Sequence, residues 1–245
     1  MPLPPWGSDR MEGFPRILPA GDRAILVEFG AEIQSLLNRR VHAVARNLKD
    51  RKFPGIGETI SSYCSLLVYY DPFVLSLDQA SSRIEEILGG TTALETPSQT
   101  IKEIPVLYGG AGGPDLSFVA EHNNLSVEQV VELHTRETYL VYVVGFSPGF
   151  AAMGTVPEKI RAPRLSSPRT KVPAGSVGIG GVQTGIYAVE SPGGWQLLGR
   201  TPLKLFDLHR HPPSFFQAGD YARFYPIGGK EFEEIAGLET SPAGP

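Results

Sequence analysis

Thr138-Tyr139-Leu140-Val141-Tyr142-Val143-Val144-Gly145-Phe146-Ser147-Pro148-Gly149-Phe150-Ala151-Ala152-Met153-Gly154-Thr155-Val156-Pro157 is a run of 20 residues without a charge, and how it is read decides the fold. As one helix it would be long enough to cross a bilayer. Its glycines, with Pro148 and Pro157, would then leave backbone groups unpaired in lipid, so a membrane span is excluded. Residues 139–144 read instead as a strand that ends in a Gly/Pro turn. Downstream, short strands at 176–179, 185–189 and 196–198 alternate with further Gly/Pro turns, and no long amphipathic helix interrupts them before Lys230. That pattern predicts a small β-barrel or sandwich.

Upstream the chain has a different character. Arg16-Ile17-Leu18 and Ala24-Ile25-Leu26-Val27-Glu28-Phe29 read as strands joined through Pro19-Ala20-Gly21-Asp22, a tight turn. From Glu32 to Asp50, Ile33, Leu36, Leu37, Val41, Val44, Ala45 and Leu48 recur at three- and four-residue steps, which predicts a helix with one apolar face. Pro54-Gly55-Ile56-Gly57 ends it. Strands at 59–63 and 66–70 come next, and Ser76 with Gln79 forms a capping box for a second helix that closes at Gly89-Gly90. This half reads as β-β-α-β-β-α, an α+β layer. A strand at 101–107 leads into Gly109–Gly113, then a short helix near 115–122 and another opened by Ser126 and Gln129. The expected division is therefore a tail at 1–13, an α+β domain at 14–107, a helical connector at 108–137, a barrel domain at 138–238 and a tail at 239–245.

The 245 residues carry 22 Lys+Arg against 26 Asp+Glu, a net charge of -4, so overall charge does not hold the protein to nucleic acid or anionic lipid. The charge is uneven. Between Lys159 and Lys204 there are seven basic residues (Lys159, Arg161, Arg164, Arg169, Lys171, Arg200, Lys204) and one acid, Glu190. Arg164 and Arg169 each follow a proline, which restricts the backbone and suits a preorganised site for carboxylate or phosphate. A solvated basic face is the alternative. The single Cys64 forms no internal disulfide, and the N-terminus has no basic stretch before an apolar core, so a reducing, cytoplasmic setting is expected.

Other motifs carry less. Gly145-Phe146-Ser147-Pro148-Gly149 matches the G-x-S-x-G pattern of a nucleophile elbow, but Pro148 has no N–H to offer an oxyanion and no helix comes after it. Neither Gly109–Gly113 nor Gly178-Ile179-Gly180-Gly181 fits a nucleotide fingerprint, and the first is either a connector or an anion-binding nest. The five histidines have no metal-ligand spacing. His134 stands near a helix C-terminus, where it either complements the helix dipole or transfers a proton.

One resemblance gathers many of these residues. Val144 to Phe150, Pro163-Arg164, Ser167-Pro168-Arg169, Val172-Pro173-Ala174-Gly175-Ser176-Val177, Gln183-Thr184-Gly185-Ile186-Tyr187, Ser191-Pro192-Gly193-Gly194-Trp195 and Gly199-Arg200-Thr201-Pro202 succeed one another in an order and spacing that resemble the family of prokaryotic 5-oxoprolinase B subunits. That family is also known as allophanate hydrolase subunit 1, includes KipI-like kinase inhibitors, and has related domains in urea carboxylase. The resemblance implies an α+β N-terminal domain followed by a cyclophilin-like β-barrel. It implies a hydrolase acting on a cyclic amide: ATP-dependent opening of 5-oxoproline to L-glutamate. The B subunit, inactive alone, would phosphorylate the lactam together with a C-type (KipA-like) subunit, and an A-type subunit would complete hydrolysis. ATP with Mg2+ is the implied cofactor. Arg164, Arg169, Lys171 and Arg200 would bind phosphate or the substrate carboxylate, Ser176, Gln183, Thr184 and Tyr187 would orient substrate, and His134 is the candidate for proton transfer. The alternatives are a KipI-like inhibitor with a histidine kinase as partner, or a carboxyltransferase-type subunit.

Overall fold

The computed structural model describes residues 13–91 and 101–240, so the expected tails lie outside the described residues except at their inner margins, Gly13 and Glu239–Thr240. The chain divides into two compact units, Met1–Ser98 and Gln99–Pro245.

The first unit has the expected element order: β1 (Arg16–Pro19), β2 (Ala24–Glu28), α1 (Ser35–Arg51), β3 (Ile56–Ser61), β4 (Ser65–Tyr70) and α2 (Leu77–Gly90). The strands form an antiparallel sheet ordered β1-β2-β4-β3. Ile25, Val27, Leu66 and Val68 point to one face, where they pack with Val41, Val44 and Leu48 of α1 and Ile84 and Ile87 of α2. The Ser76 capping box is present, with Gln79 N–H donating to the Ser76 hydroxyl and the Ser76 N–H donating to the Gln79 side chain. Two details differ from expectation. β3 begins at Ile56, inside the presumed turn, because a register shift between Ile56 and Thr59 lets the strand start early. Leu36 lies off the apolar stripe of α1 and is 60% exposed.

The second unit is a closed barrel of β5 (Ile101–Tyr108), β6 (Thr138–Val144), β7 (Ala151–Gly154), β9 (Ser176–Gly180), β10 (Gln183–Ile186), β12 (Gln196–Arg200) and β13 (Tyr221–Pro226), ordered β10-β7-β6-β13-β5-β12-β9. β13 runs parallel to β5 and the other pairings are antiparallel, so the barrel is mixed. A separate ribbon pairs β8 (Arg169–Val172) with β11 (Ser191–Gly193). Helices α3 (Leu116–His122), α4 (Val127–Arg136) and α5 (Gly229–Thr240) complete the unit. Ile104, Val106, Val130, Val141, Met153, Ile179, Leu198 and Phe224 fill its core.

The barrel takes in residues 101–107, which the sequence reading assigns to the N-terminal domain. β5 has a barrel strand on each side, and its partner β13 lies more than a hundred residues away, a pairing that local pattern does not reveal. The uncharged run at 138–157 resolves as β6, a turn and β7. Gly145 N–H donates to the Phe150 carbonyl and Phe150 N–H to that of Ser147. Ser147 leads into a strand rather than a helix, so the nucleophile-elbow geometry is absent here.

Candidate functional site

Three groups of residues occupy the barrel unit, and the sequence-derived candidates are divided among them. The first is internal. His134 of α4 is fully buried, and both ring nitrogens are engaged: Nδ1 lies 2.8 Å from the Tyr108 hydroxyl and Nε2 lies 2.8 Å from Thr184 Oγ1. The Thr184 hydroxyl has one proton, which it donates to the Gly178 carbonyl at 3.1 Å. It therefore accepts from His134 Nε2–H, and bare Nδ1 accepts from Tyr108. The Phe224 ring stacks at 4.6 Å, and the Tyr139 hydroxyl donates to the His134 carbonyl. Burial alone holds the imidazole down at about 3, so it is neutral at physiological pH. A neutral ring with both nitrogens bonded inside the core fastens α4 to β5 and β10. The residue expected to transfer a proton is thus fully buried, with both ring nitrogens engaged by side chains of the core.

The second group lies on the outer surface of β9 and β10. Gly178, Gly180 and Gly185 form a flat shelf beneath Trp195: a Cβ at Gly180 would come within 2.6 Å of the indole, and one at Gly185 within 3.0 Å. This close approach explains glycine in the middle of strands. Phe150 packs edge-on against both Tyr187, at 5.0 Å, and Trp195, at 5.5 Å, and the Arg164 guanidinium stands 5.7 Å from the Trp195 ring. Burial pushes the Tyr187 phenol up, against the opposing effects of a Trp195 backbone hydrogen bond and of Arg164 and Arg169. Gln183 is buried on the same strand, and its Nε2 has no hydrogen-bond partner among the described residues. Phe146 stands beside this group at the β6–β7 turn, with φ 71 and 84% exposure. A bulky residue in that backbone region is under strain.

The basic window is partly neutralised in space. Arg169 Nη2 meets both carboxylate oxygens of Asp115, at 2.7 and 2.9 Å, while Nη1 donates to the Trp195 carbonyl. Lys171 pairs with Glu190 at 3.1 Å and Lys204 with Asp207 at 2.7 Å. Arg169 and Lys171, expected to bind phosphate or the substrate carboxylate, thus each meet a carboxylate of this chain. Arg164 and Arg200 have no acidic partner among the described residues.

Arg200 belongs to the third group. The Gly109–Gly113 loop is neither slack nor a bare nest. Gly109 N–H donates to the Leu198 carbonyl and Gly113 N–H to that of Gly109, which fastens the loop to β12. Its middle, Ala111 and Gly112, lines a cavity of about 240 Å³ with Leu107, Pro173, Ser176, Leu197, Arg200 and Phe232 of α5. Candidates Ser176 and Arg200 thus share one cavity. Sequence reasoning misses Asp115, Tyr108 and Phe232: Asp115 resembles an ordinary helix cap, and nothing local marks Tyr108 or Phe232.

A mixed barrel carrying a shelf of strand glycines defines a class, and similarity to known proteins names it. The family model described as carboxyltransferase domain, subdomain C and D, matches residues 15–216. The chain is 43% identical over 222 residues to the B subunit of 5-oxoprolinase from Bacillus subtilis (strain 168), covering 86% of this chain and 92% of the relative. It is 45% identical over 207 residues to that of Escherichia coli O157:H7, covering 84% and 93%. The crystal structure of TTHA0988 in space group P212121 is similar with a TM-score of 0.74 and 37% identity over 84% of this chain, which spans 40% of that longer one. The chain belongs to the family of 5-oxoprolinase B subunits, within the carboxyltransferase C/D class.

Proposed function

We propose that this chain is the B subunit of an ATP-dependent 5-oxoprolinase, a cytoplasmic heteromer in which it acts with a C-type subunit to phosphorylate 5-oxoproline, an A-type subunit completing hydrolysis to L-glutamate. The observation that carries the reading is the likeness, over most of both chains, to proteins named as the B subunit of 5-oxoprolinase. The barrel unit, on this reading, is cyclophilin-like.

A lactam carbonyl is a poor electrophile because nitrogen donates into it. ATP, with Mg2+ as its counterion, would supply the phosphoryl group that converts the lactam oxygen into a leaving group. This chain's part is to bind and orient. Arg164 and Arg200 are cations without acidic partners among the described residues and fit anionic oxygens. Arg169 acts through position: paired with Asp115 and bonded to the Trp195 carbonyl, it holds the loop that carries the indole. Thr184 and Tyr187 likewise act from within the structure, and Gln183 retains an unmet donor. Phe146, exposed and strained, is offered to the C-type partner.

The test is phosphate release by the chain mixed with its C-type partner. Release stimulated by 5-oxoproline supports the assignment, and its absence with a competent partner refutes it. A second reading, a carboxyltransferase-type subunit, is favoured by the description of the matching family model. It requires a carboxylated biotin-carrying partner as donor, so carboxyl transfer from such a protein would select it.

A further inference from the structure

We propose that the 240 Å³ cavity between the Gly109–Gly113 loop, the end of β12 and α5 binds a small monocarboxylic acid with a compact apolar body, and that Arg200 receives its carboxylate. The naming of 5-oxoproline as that acid rests on the 5-oxoprolinase reading, whereas the site itself does not.

The argument starts from how Arg200 is held. A Cβ on Gly112 would come within 3.1 Å of the Arg200 Cβ, and one on Gly175 within 3.4 Å of its Cγ. The side chain therefore rises between two glycines, and at Gly112 the approach is closer than an alanine would comfortably allow. Its Nε donates to the Ala174 carbonyl at 2.8 Å, which fixes the plane of the guanidinium. Neither terminal nitrogen has a partner among the described residues. A guanidinium fixed at Nε with an open terminal fork is preorganised for a planar two-oxygen acceptor.

The rest of the wall selects the ligand. Leu107, Pro173, Leu197 and Phe232 are apolar, and Arg200 is the one charged residue lining the cavity. One cation among apolar walls matches the single charge and hydrocarbon body of a small monocarboxylate. Ser176 donates its proton to the Pro173 carbonyl at 2.8 Å, so its oxygen can only accept from a ligand, as it would from a lactam N–H. The volume lies below the about 300–1,000 Å³ of pockets for drug-sized ligands and is the size of a single five-membered ring acid.

The experiment is calorimetric titration of the full chain, alone and with its C-type partner. The ligands are 5-oxoproline, its methyl ester, cyclopentanecarboxylate and inorganic phosphate. Both acids are expected to bind, with the ester and phosphate at least tenfold weaker. Arg200→Gln should weaken both acids at least tenfold. Phe232→Trp, which reduces the cavity without touching Arg200, should weaken them too, with thermal unfolding showing each variant folded. Equal binding of ester and acid, tighter binding of phosphate, no binding in either preparation, or unaltered binding by both variants overturns the proposal. The outcomes separate it from the enzymatic reading. Binding without 5-oxoproline-stimulated ATP hydrolysis leaves the site and removes the enzyme, while hydrolysis with an unchanged KM in Arg200→Gln does the reverse.

Discussion

Arg169 and Asp115 meet at two points, with Nη2 2.7 and 2.9 Å from the two carboxylate oxygens, and the pair ties the β8–β11 ribbon to the loop that enters α3. Asp115 stands at the N-cap of α3 yet makes no side-chain cap; it accepts instead from Arg169 and from the Leu197 N–H. Its carboxylate joins ribbon, barrel strand and helix at one position.

Removing either partner leaves a partly buried charge uncompensated. Arg169→Ala and Asp115→Ala should each lower unfolding free energy by about 1–3 kcal/mol, and the double variant should cost less than the two singles together. Urea unfolding of the four proteins measures this cycle. Additive costs would show that the pair is not coupled.

His134 makes stability depend on acid. Its folded value is about 3 against an ordinary 6.5, so the unfolded chain binds the proton more readily between those limits. The contribution is complete above pH 6.5 and is lost as pH falls toward 3, amounting to about 2 kcal/mol by pH 5. Between pH 7 and pH 5 the wild type should lose more unfolding free energy than His134→Gln by about that amount. Parallel behaviour of the two proteins would place the acid sensitivity elsewhere.

Glycines in the second unit are not equivalent. A Cβ at Gly113 would lie 2.0 Å from the Leu198 carbonyl oxygen, whereas one at Gly228 meets nothing within 4 Å. Gly113→Ala should cost about 1–3 kcal/mol or more, since backbone must move, and Gly228→Ala should stay within about 0.5 kcal/mol. Thermal unfolding of the two variants distinguishes a packed loop from a slack one, and equal melting would contradict the packing.

Lys171 and Glu190 form an exposed pair, with side chains 69% and 53% accessible. Such pairs contribute little, so Lys171→Ala should change stability by less than about 1 kcal/mol. In the reconstituted enzyme it should leave KM for 5-oxoproline near wild type, while Arg200→Ala raises it. A large KM effect at Lys171 would return that residue to the binding surface.

Much of this is legible in the sequence because the signals are local. The Ser76–Gln79 and Ser126–Gln129 capping boxes, the Gly/Pro turn after Val144 and the apolar stripe of α1 each depend on residues within a few positions of one another. The features that escape depend on distant pairing. β5 joins the barrel through β13, and Asp115 finds Arg169 54 positions away. The charge sum over residues 159–204 suggests an open anion site because it counts Arg169 without Asp115 and Lys204 without Asp207. His134 stands out in the sequence for its place at a helix end, but its depth comes from a ring of Tyr108, Tyr139, Thr184 and Phe224 drawn from four different strands.

The most direct measurement is the yield of glutamate from 5-oxoproline in a mixture of this chain, its C-type partner, an A-type subunit, ATP and Mg2+, with each chain omitted in turn. The B-subunit assignment predicts glutamate formation accompanied by ATP hydrolysis, and loss of both when this chain is left out. Undiminished glutamate formation without this chain, or none with all three chains present and the other two proven competent, would contradict it.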